Sequence, residues 1–453
     1  LTIGLTLVVV ATAFEALAVA TVLPTTLREL GDLPYYGWTF SAFLLSNIIG
    51  ISVGGSESDR FGLSRLFMAG VSLFCIGLVV SGLAPAMLVI VGGRVLQGFG
   101  SGLLYTVSYA AIGQAYAVDL QPRMLATLSS AWVVPGLIGP GIAGLVAEHA
   151  SWRWVFLGLV PLPLVAATLA QPALRALPKI AEPAPRSNRI WLAVWLGFGA
   201  SAALTGIGLH RWQVAVPLAL LGSLVAIRAL NGLMPAGTLV ARPGLPAAVA
   251  SMALITFAFF GAEAFVPLAL THVRGAPVLI SGVSLTAAAL TWTSGAWLPV
   301  RLAGRVRRGT IIQTGLGILA LGILATLALL SPNVPTWFAV IAWGVAGFGM
   351  GLAFTTMSAA ILEAGGQSDA ALASASLQLA QVLGAALSTG IGGVVVASSY
   401  AGNPPVRGVA VVDLIMLAAI ALAILAARGV PSAQADSASV RASQQAADND
   451  SSA

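Results

Sequence analysis

Residues 86–112, AMLVIVGGRVLQGFGSGLLYTVSYAAI, restrict what this chain can fold into more than any other stretch. The run is apolar enough to cross a bilayer, yet it carries Arg94, Gln97, Ser101, Tyr105 and Ser108 at steps of three, four, four and three. That spacing puts all five on one helix face. An arginine within a membrane costs roughly 2.5–3.5 kcal/mol on insertion scales, so the face is expected to meet protein or water rather than lipid. The stretch is also written twice. Gly98-Phe99-Gly100-Ser101-Gly102-Leu103 returns as Gly347-Phe348-Gly349-Met350-Gly351-Leu352, and nine of the fifteen positions from 98 to 112 are identical at an offset of 249. A duplicated spanning helix with a polar face predicts a repeat-built transporter whose site lies between two halves.

The remaining composition agrees with a bilayer as solvent. Hydrophobic residues make up 58% of the chain and charged residues 8%, with a mean hydropathy of +0.96. These values describe a polytopic membrane protein. Cys75 is the single cysteine and lies in an apolar run, which excludes a disulfide framework or cysteine metal site. The basic pI near 10.1 reflects arginines in short loops rather than a nucleic-acid surface.

At about 20 apolar residues per span, the chain divides into fourteen, with cores near 3–24, 37–55, 66–84, 86–112, 125–147, 154–172, 190–209, 213–230, 247–271, 278–300, 310–330, 336–361, 371–397 and 408–427. An even number puts both termini on one side. Placing them in the cytoplasm leaves fifteen Lys/Arg inside, five outside and Arg94 in the membrane, as the positive-inside rule requires. Residues 1–24 lack a basic leader and carry Glu15 mid-run, so they read as span 1 rather than a signal peptide. The repeat offset is too long for six spans alone, and spans 7 and 8, a hairpin around His210-Arg211-Trp212, account for the surplus. The predicted organisation is an N-terminal six-helix bundle over 1–174 and a linker with the inserted pair over 175–246. A C-terminal six-helix bundle over 247–428 and a disordered cytoplasmic tail over 429–453 complete it.

Three acids interrupt the spans. Glu15 in span 1 and Glu263 in span 9 occupy corresponding positions of the two repeats, and Asp413 enters span 14 near its outer end. Low dielectric disfavours an ionised carboxylate, which makes such groups natural proton carriers. Each also has a plain structural reading: a hydrogen bond to a neighbouring helix for the glutamates, and snorkelling or pairing with Arg407 for Asp413. The histidines, His149, His210 and His272, fall at predicted outer ends of spans. They form no repeated acid–histidine constellation, so enzyme chemistry is not expected. No phosphate loop is present, so energy is expected from an ion gradient, with no cofactor.

Between spans 2 and 3 the sequence runs Gly55-Ser56-Glu57-Ser58-Asp59-Arg60-Phe61-Gly62-Leu63-Ser64-Arg65. Gly55 is expected to permit close helix approach and Gly62 a tight turn. This G-x-x-x-D-R-x-G-x-x-R pattern resembles the signature loop of the major facilitator superfamily, where its implied role is to latch the cytoplasmic gate. The matching positions here are Gly55, Asp59, Arg60, Gly62 and Arg65. Arg94-Val95-Leu96-Gln97-Gly98 resembles the family's R-x-x-Q-G motif, associated there with proton transfer. Span 5 carries Pro135-Gly136-Leu137-Ile138-Gly139-Pro140-Gly141-Ile142-Ala143-Gly144, similar to the G-P-x-x-G-G motif of antiporters with Ala143 for one glycine. Gly136, Gly139, Pro140 and Gly144 are the antiporter-helix residues so implied. Ser151-Trp152-Arg153-Trp154-Val155-Phe156 resembles the W-R-W-x-F start of span 6 in the fourteen-helix drug:proton antiporter branch. Glu15 to Pro24 is similar to that branch's helix 1 motif, with glutamate in place of aspartate.

The resemblance implies an all-α major facilitator fold of two six-helix bundles with an inserted pair, in a bacterial inner membrane, as a monomer with both termini cytoplasmic. The implied activity is proton-coupled export of lipophilic or cationic small molecules such as drugs by alternating access; the alternative is export of an endogenous lipid or metabolite. Expected partners are the lipophilic substrate, protons and the bilayer, without nucleic acid. Proton coupling would rest on Glu15, Arg94, Glu263 and Asp413. The two repeats differ in their expected walls. Gln97, Ser101, Tyr105 and Trp132 would form a polar side of a substrate cavity, Met350 and Phe354 an apolar side, and Gln378 and Gln381 of span 13 a second polar strip. The plain alternative is that the methionines and aromatics are helix packing.

Overall fold

The computed structural model describes residues 1–117, 120–177, 188–209, 211–302, 305–365, 370–399 and 405–430. Every element among them is helical. Most of the linker, His210 and the tail beyond Val430 lie outside the described residues. Thirteen helices are long and apolar enough to cross a membrane, and the shorter apolar helix Val133–His149 supplies the remaining span. The fourteen spans follow the order read from the sequence. In the first half they are Thr2–Leu30, Tyr36–Phe61, Leu63–Gly82, Met87–Ala115, the two pieces Gln121–Ser130 and Val133–His149, and the two pieces Arg153–Leu157 and Pro161–Ala176.

Arg189–Gly208 and Trp212–Leu233 form spans 7 and 8. Span 9 runs as Leu245–Glu263, Val266–Leu268 and a π-helical turn over Ala269–Val273. Val278–Leu302, Arg308–Ala328, Phe338–Ala364, Ala370–Ser398 and Val406–Ala427 complete the set.

Spans 5, 6 and 9 are broken rather than continuous, each next to a proline. Proline has no N–H for the carbonyl four residues back, and its ring crowds that carbonyl. Pro135, Pro161 and Pro267 offer no N–H to the carbonyls of Ala131, Leu157 and Glu263, of which Leu157 is bonded instead by the Val160 N–H at 3.2 Å. Each break lies just before its proline, whereas Pro24, Pro140, Pro217 and Pro299 sit inside continuous helices. The expected single helix over 125–147 is thus two pieces meeting at Ala131 and Trp132.

Packing repeats with the sequence. Span 4 packs on spans 2 and 3, span 1 on spans 5 and 6, and span 3 on span 6. The second half repeats this as 12 on 10 and 11, 9 on 13 and 14, and 11 on 14. Between the bundles span 2 meets span 13 and span 5 meets span 10, an exchange of equivalent partners expected of a pseudo-twofold.

The duplicated glycine motif is what makes this packing close. A Cβ at Gly98 would sit 2.0 Å from the carbonyl oxygen of Phe43, and one at Gly347 2.3 Å from that of Ala288. Gly102 and Gly351 likewise face the backbones of spans 2 and 10, whereas Gly100 and Gly349 face those of spans 3 and 11. Three glycines at alternate positions thus let one helix touch two neighbours at backbone distance. Spans 7 and 8 use the same device at Gly199, Gly206 and Gly222. Span 7 then lies against span 2, leaving span 8 on the outside.

The two bundles are tied together at one end of the molecule. Arg28 Nη2 donates to the Thr271 carbonyl at 2.7 Å, and the Tyr36 hydroxyl donates to the Ala264 carbonyl at 2.9 Å. Ser41 Oγ donates to the Ala386 carbonyl at 2.8 Å, and the Leu279 N–H donates to Glu148 Oε1 at 3.0 Å. Gly37 and Gly393 meet backbone to backbone beside them. All of these contacts lie in the half nearest the Gly31–Tyr36 turn, opposite the Gly62 loop.

Candidate functional site

Span 4 meets span 1 at a buried ion pair. Glu15 stands at the middle of Thr2–Leu30, Arg94 about two turns into Met87–Ala115, and each is 2% exposed. The Arg94 guanidinium contacts the Glu15 carboxylate directly. Arg94 Nε also donates to the Thr39 carbonyl at 2.8 Å and Nη1 to Gln97 Oε1 at 2.7 Å, while the guanidinium lies 4.2 Å from the centre of the Phe43 ring. Gln97 in turn donates from Nε2 to Ser81 Oγ at 3.1 Å. One arginine thus joins spans 1, 2 and 4, and Gln97 extends the network to span 3. Arg94 keeps partners besides the carboxylate, whereas among the described residues Glu15 meets no other cation.

The polar face of span 4 is therefore internal, as its spacing predicts, but most of it is not a cavity wall. Gln97 is consumed by Arg94 and Ser81. Ser101 receives a hydrogen bond from Asn47 Nδ2 at 3.4 Å, and Ser108 bonds back to the Leu104 carbonyl. Gln97 and Ser101 are correspondingly buried. Tyr105 differs: it keeps partial access and accepts a hydrogen bond from Thr12 at 3.3 Å. Trp132 is exposed at the break in span 5. On span 12 the expected apolar wall is likewise mostly packing: Met350 is fully buried, as are Trp343, Ala346 and Met357 on the same face, and Phe354 is partly open. The correction has one cause: a three-to-four-residue period identifies a buried face without telling a neighbouring helix from a cavity. Gln378 and Gln381 are partly buried on span 13.

The second bundle holds an aromatic group of which the sequence had singled out only Phe354. Phe259 stacks on Trp343 with centroids 5.2 Å apart and an interplanar angle of 21°. Phe260 and Phe354 both meet Trp292, at 6.2 and 5.2 Å. Trp292 comes from span 10, which offered no polar or duplicated motif at that position. Glu263 closes Leu245–Glu263 at the proline break, partly accessible and with no hydrogen bond or ion pair recorded among the described residues. Asp413 lies elsewhere, in a small cavity lined by Phe265, Val266, Ala269, Thr326, Leu329 and Val409, where it accepts a hydrogen bond from Thr326 at 3.1 Å. Arg407 is exposed, and the carboxylate is 4% exposed, so burial within the second bundle replaces the expected snorkelling.

The loop and helix motifs take structural places. Gly62 has φ +80°, the left-handed conformation its turn requires, and joins spans 2 and 3 directly. Arg60 and Arg65 are exposed, with Arg60 3.9 Å from Glu57; the Asp59 side chain lies outside what is described. Gly54, not Gly55, makes the close approach, since a Cβ at 54 would lie 2.9 Å from Thr106 and one at 55 only 3.9 Å from it. Span 5 supplies the contact to span 10: Gly136 faces Ala289, Gly144 faces Leu279, and the Pro140 carbonyl lies against Gly282. Gly139 faces Phe14 of span 1. Trp152 and Arg153 both bind the Glu29 carboxylate, fastening span 6 to the end of span 1.

Known proteins resemble the chain in sequence and in fold. It is 26% identical to an uncharacterized MFS-type transporter of Mycobacterium tuberculosis over 81% of its length, and it spans 55% of that relative. The methylenomycin A resistance protein of Bacillus subtilis is 26% identical, with 81% of each chain covered. A probable multidrug-efflux transporter of M. tuberculosis is 25% identical, with 84% of each covered. Among solved structures, a bacterial homologue of the lysosomal transporter Spinster in an inward-facing conformation aligns with a TM-score of 0.68 at 16% identity, covering 95% of this chain and 96% of that one. The xylose transporter XylE of E. coli, partially occluded and inward open, aligns with a TM-score of 0.64 at 15% identity, covering 96% and 98%. Residues 4–389 match the Major Facilitator Superfamily as a whole, and the chain belongs to that family.

Proposed function

We propose that this protein is a proton-coupled exporter of lipophilic small molecules, working by alternating access between its two bundles. The observation that carries the proposal is the buried Glu15–Arg94 pair. A proton on Glu15 removes the charge that holds it to Arg94. The arginine keeps its hydrogen bonds to Thr39 and Gln97 and its contact with Phe43, but its buried charge loses its counter-charge, which drives the released arrangement away from the paired one. Span 1 then has two arrangements, paired and released, which is the two-state element that coupling requires. Cargo and proton are linked through their different affinities for these two arrangements.

Support for export comes from the relatives, one named for methylenomycin resistance and another as a probable multidrug-efflux transporter. The end-on contacts between the bundles fit a state closed on the Gly31 side and open toward the Gly62 loop. Positive charge assigns that loop to the cytoplasm, so cargo enters from the cytoplasm or the inner leaflet and proton from outside.

Right-side-out proteoliposomes preloaded with a lipophilic dye test the reading. An imposed pH gradient, acid outside, is expected to speed dye efflux, and collapsing the gradient with a protonophore to return it to the rate of empty liposomes. Efflux that ignores the gradient across a panel of lipophiles would show that protons do not drive this carrier.

A further inference from the structure

We propose that Asp413 and Thr326 form a proton-binding site in the second bundle that controls the latch at the Gly31 end: the acid form holds that end shut, and the carboxylate releases it. The site goes beyond the Glu15 reading, because the coupling step does not use this acid. It needs only the closure of that end, and no cargo.

Asp413 stands about two turns into Val406–Ala427 and is 4% exposed. The cavity it lines has room for about one water. Its hydrogen-bonding neighbour among the described residues is Thr326, whose hydroxyl carries a single hydrogen. Two acceptors are in its reach, the Ile323 carbonyl at 2.6 Å and Asp413 Oδ2 at 3.1 Å. As a carboxylate, Asp413 takes that hydrogen from Ile323 and still leaves most of its lone pairs unserved. As an acid it donates to Thr326 Oγ1, and Thr326 keeps the shorter bond to Ile323. The closed cavity therefore fits the acid better than the carboxylate.

Among the described residues no charge compensates it. Spans 9, 11 and 13 pack on span 14. Span 9 brings Glu263 before its break and His272 and Arg274 beyond it. His272 lies against Thr271, and Arg274 donates to the carbonyls of Leu329, Ser331, Pro332 and Val334. Span 11 carries Arg308 at its far end, paired with Glu363, and span 13 has no charged residue over Ala370–Ser398. Arg407 on span 14 is exposed.

The wall that span 9 gives this cavity is its broken stretch, through Phe265, Val266 and Ala269. The same stretch carries the latch. The Tyr36 hydroxyl bonds the Ala264 carbonyl at 2.9 Å, and the Tyr36 ring lies 5.7 Å from that of Phe265. Arg28 bonds the Thr271 carbonyl, within the π-helical turn, at 2.7 Å. Thr326 and Val409 stand on continuous helices, so span 9 is the wall that yields. Hydrating the carboxylate widens the cavity, moves this stretch and draws it off Tyr36 and Arg28. Uptake of one proton from water forms the Asp413 O–H bond and restores the latch. With the Gly62 loop in the cytoplasm, acid outside holds the outer end shut.

The full chain in nanodiscs tests this, with Cys75→Ala and spin labels attached at Leu83→Cys and Trp337→Cys, exposed positions of opposite bundles at that end. The interspin distance reports opening without cargo. Raising the pH is expected to convert a short distance into a longer one. Asp413→Asn, which cannot ionise, is expected to keep the short distance at every pH. Tyr36→Phe removes one latch bond, so its opening is expected at a pH lower by about half a unit or more. Glu15→Gln is expected to open at the native pH, which separates this site from the coupling site. A native distance that ignores pH, native pH dependence in Asp413→Asn, an unchanged midpoint in Tyr36→Phe, or loss of the response in Glu15→Gln each overturns the proposal. So does opening that follows sodium at fixed pH, which would make this a metal-cation site. Size-exclusion elution checks folding, and Tyr36→Phe decides if Asp413→Asn does not fold.

Discussion

Replacing Arg94 with alanine is expected to abolish transport and to destabilise the first bundle by about 3–5 kcal/mol, the usual consequence of removing one partner of a buried ion pair. The change strips Glu15 of its counter-charge and Gln97 of a donor, and it removes the link from span 4 to the Thr39 carbonyl. Arg94→Lys is expected to rescue little of this. A lysine carries one compact ammonium and cannot reach a backbone carbonyl through Nε while bonding Gln97 and Glu15 through another nitrogen. The double variant Glu15→Leu/Arg94→Met separates the two roles. It removes both buried charges at similar volume, so it is expected to recover most of the stability and none of the coupling. Thermal unfolding in detergent, followed by size-exclusion recovery, measures the first, and gradient-driven efflux the second. A double variant as unstable as Arg94→Ala would mean that the arginine stabilises chiefly through Thr39 and Gln97 rather than through the pair.

Valine at Gly98 or at Gly347 is expected to be as damaging to folding as the loss of Arg94, without touching a charge. The added Cβ would lie 2.0 or 2.3 Å from a carbonyl oxygen of the adjacent helix, and backbone cannot rotate aside as a side chain can. Overpacking of flexible cores costs about 1–3 kcal/mol; here helices must separate, and the expected cost lies at or beyond the upper end. Gly92 on the same helix has open space where its Cβ would be, so Gly92→Ala provides the control and is expected to leave folded yield unchanged. Equal losses at 98 and 347 would show that the duplicated motif is a packing device in both bundles. A tolerated valine at either position would contradict the backbone-to-backbone approach there.

That motif shows how far sequence alone reaches. Its duplication identified the repeat, and the repeat gave the order of the spans and the inserted pair, whereas which spans pack together comes from the structure. The glycines themselves are explained by the neighbours they touch, which a single sequence does not name. Arg94 was legible as an internal charge because the membrane leaves it nowhere else to go, and Glu15 as an acid in the corresponding environment. The sequence grouped the two only as proton-coupling candidates; their contact comes from the packing of span 1 beside span 4.

Other parts were legible in principle but escaped a reading by periodicity. The breaks in spans 5, 6 and 9 coincide with Pro135, Pro161 and Pro267, but Pro24, Pro140, Pro217 and Pro299 leave their helices continuous, so a proline in an apolar run does not tell a break from a tolerated kink. The cavity residues were hardest. Gln97, Ser101 and Met350 share a periodicity with the partly open Tyr105 and Phe354, and only the position of a neighbouring helix separates the two classes. Trp292 was invisible for the opposite reason: a tryptophan in an apolar run carries no pattern, and its role comes from Phe260 and Phe354 on other helices. The glutamates, symmetric in sequence, part company in the structure because, among the described residues, only Glu15 meets an arginine, and the position that repeats Arg94 is Trp343.

The central claim is that Glu15 carries the coupled proton, and Glu15→Gln tests it most directly. Proteoliposomes with an internal pH dye would record proton movement on adding a lipophilic substrate, for the native chain and for the variant, with substrate binding measured in parallel. The account predicts substrate-evoked proton movement in the native protein and none in Glu15→Gln, with binding retained. Proton movement persisting in the variant at the native rate would contradict it and move the carrier to another acid.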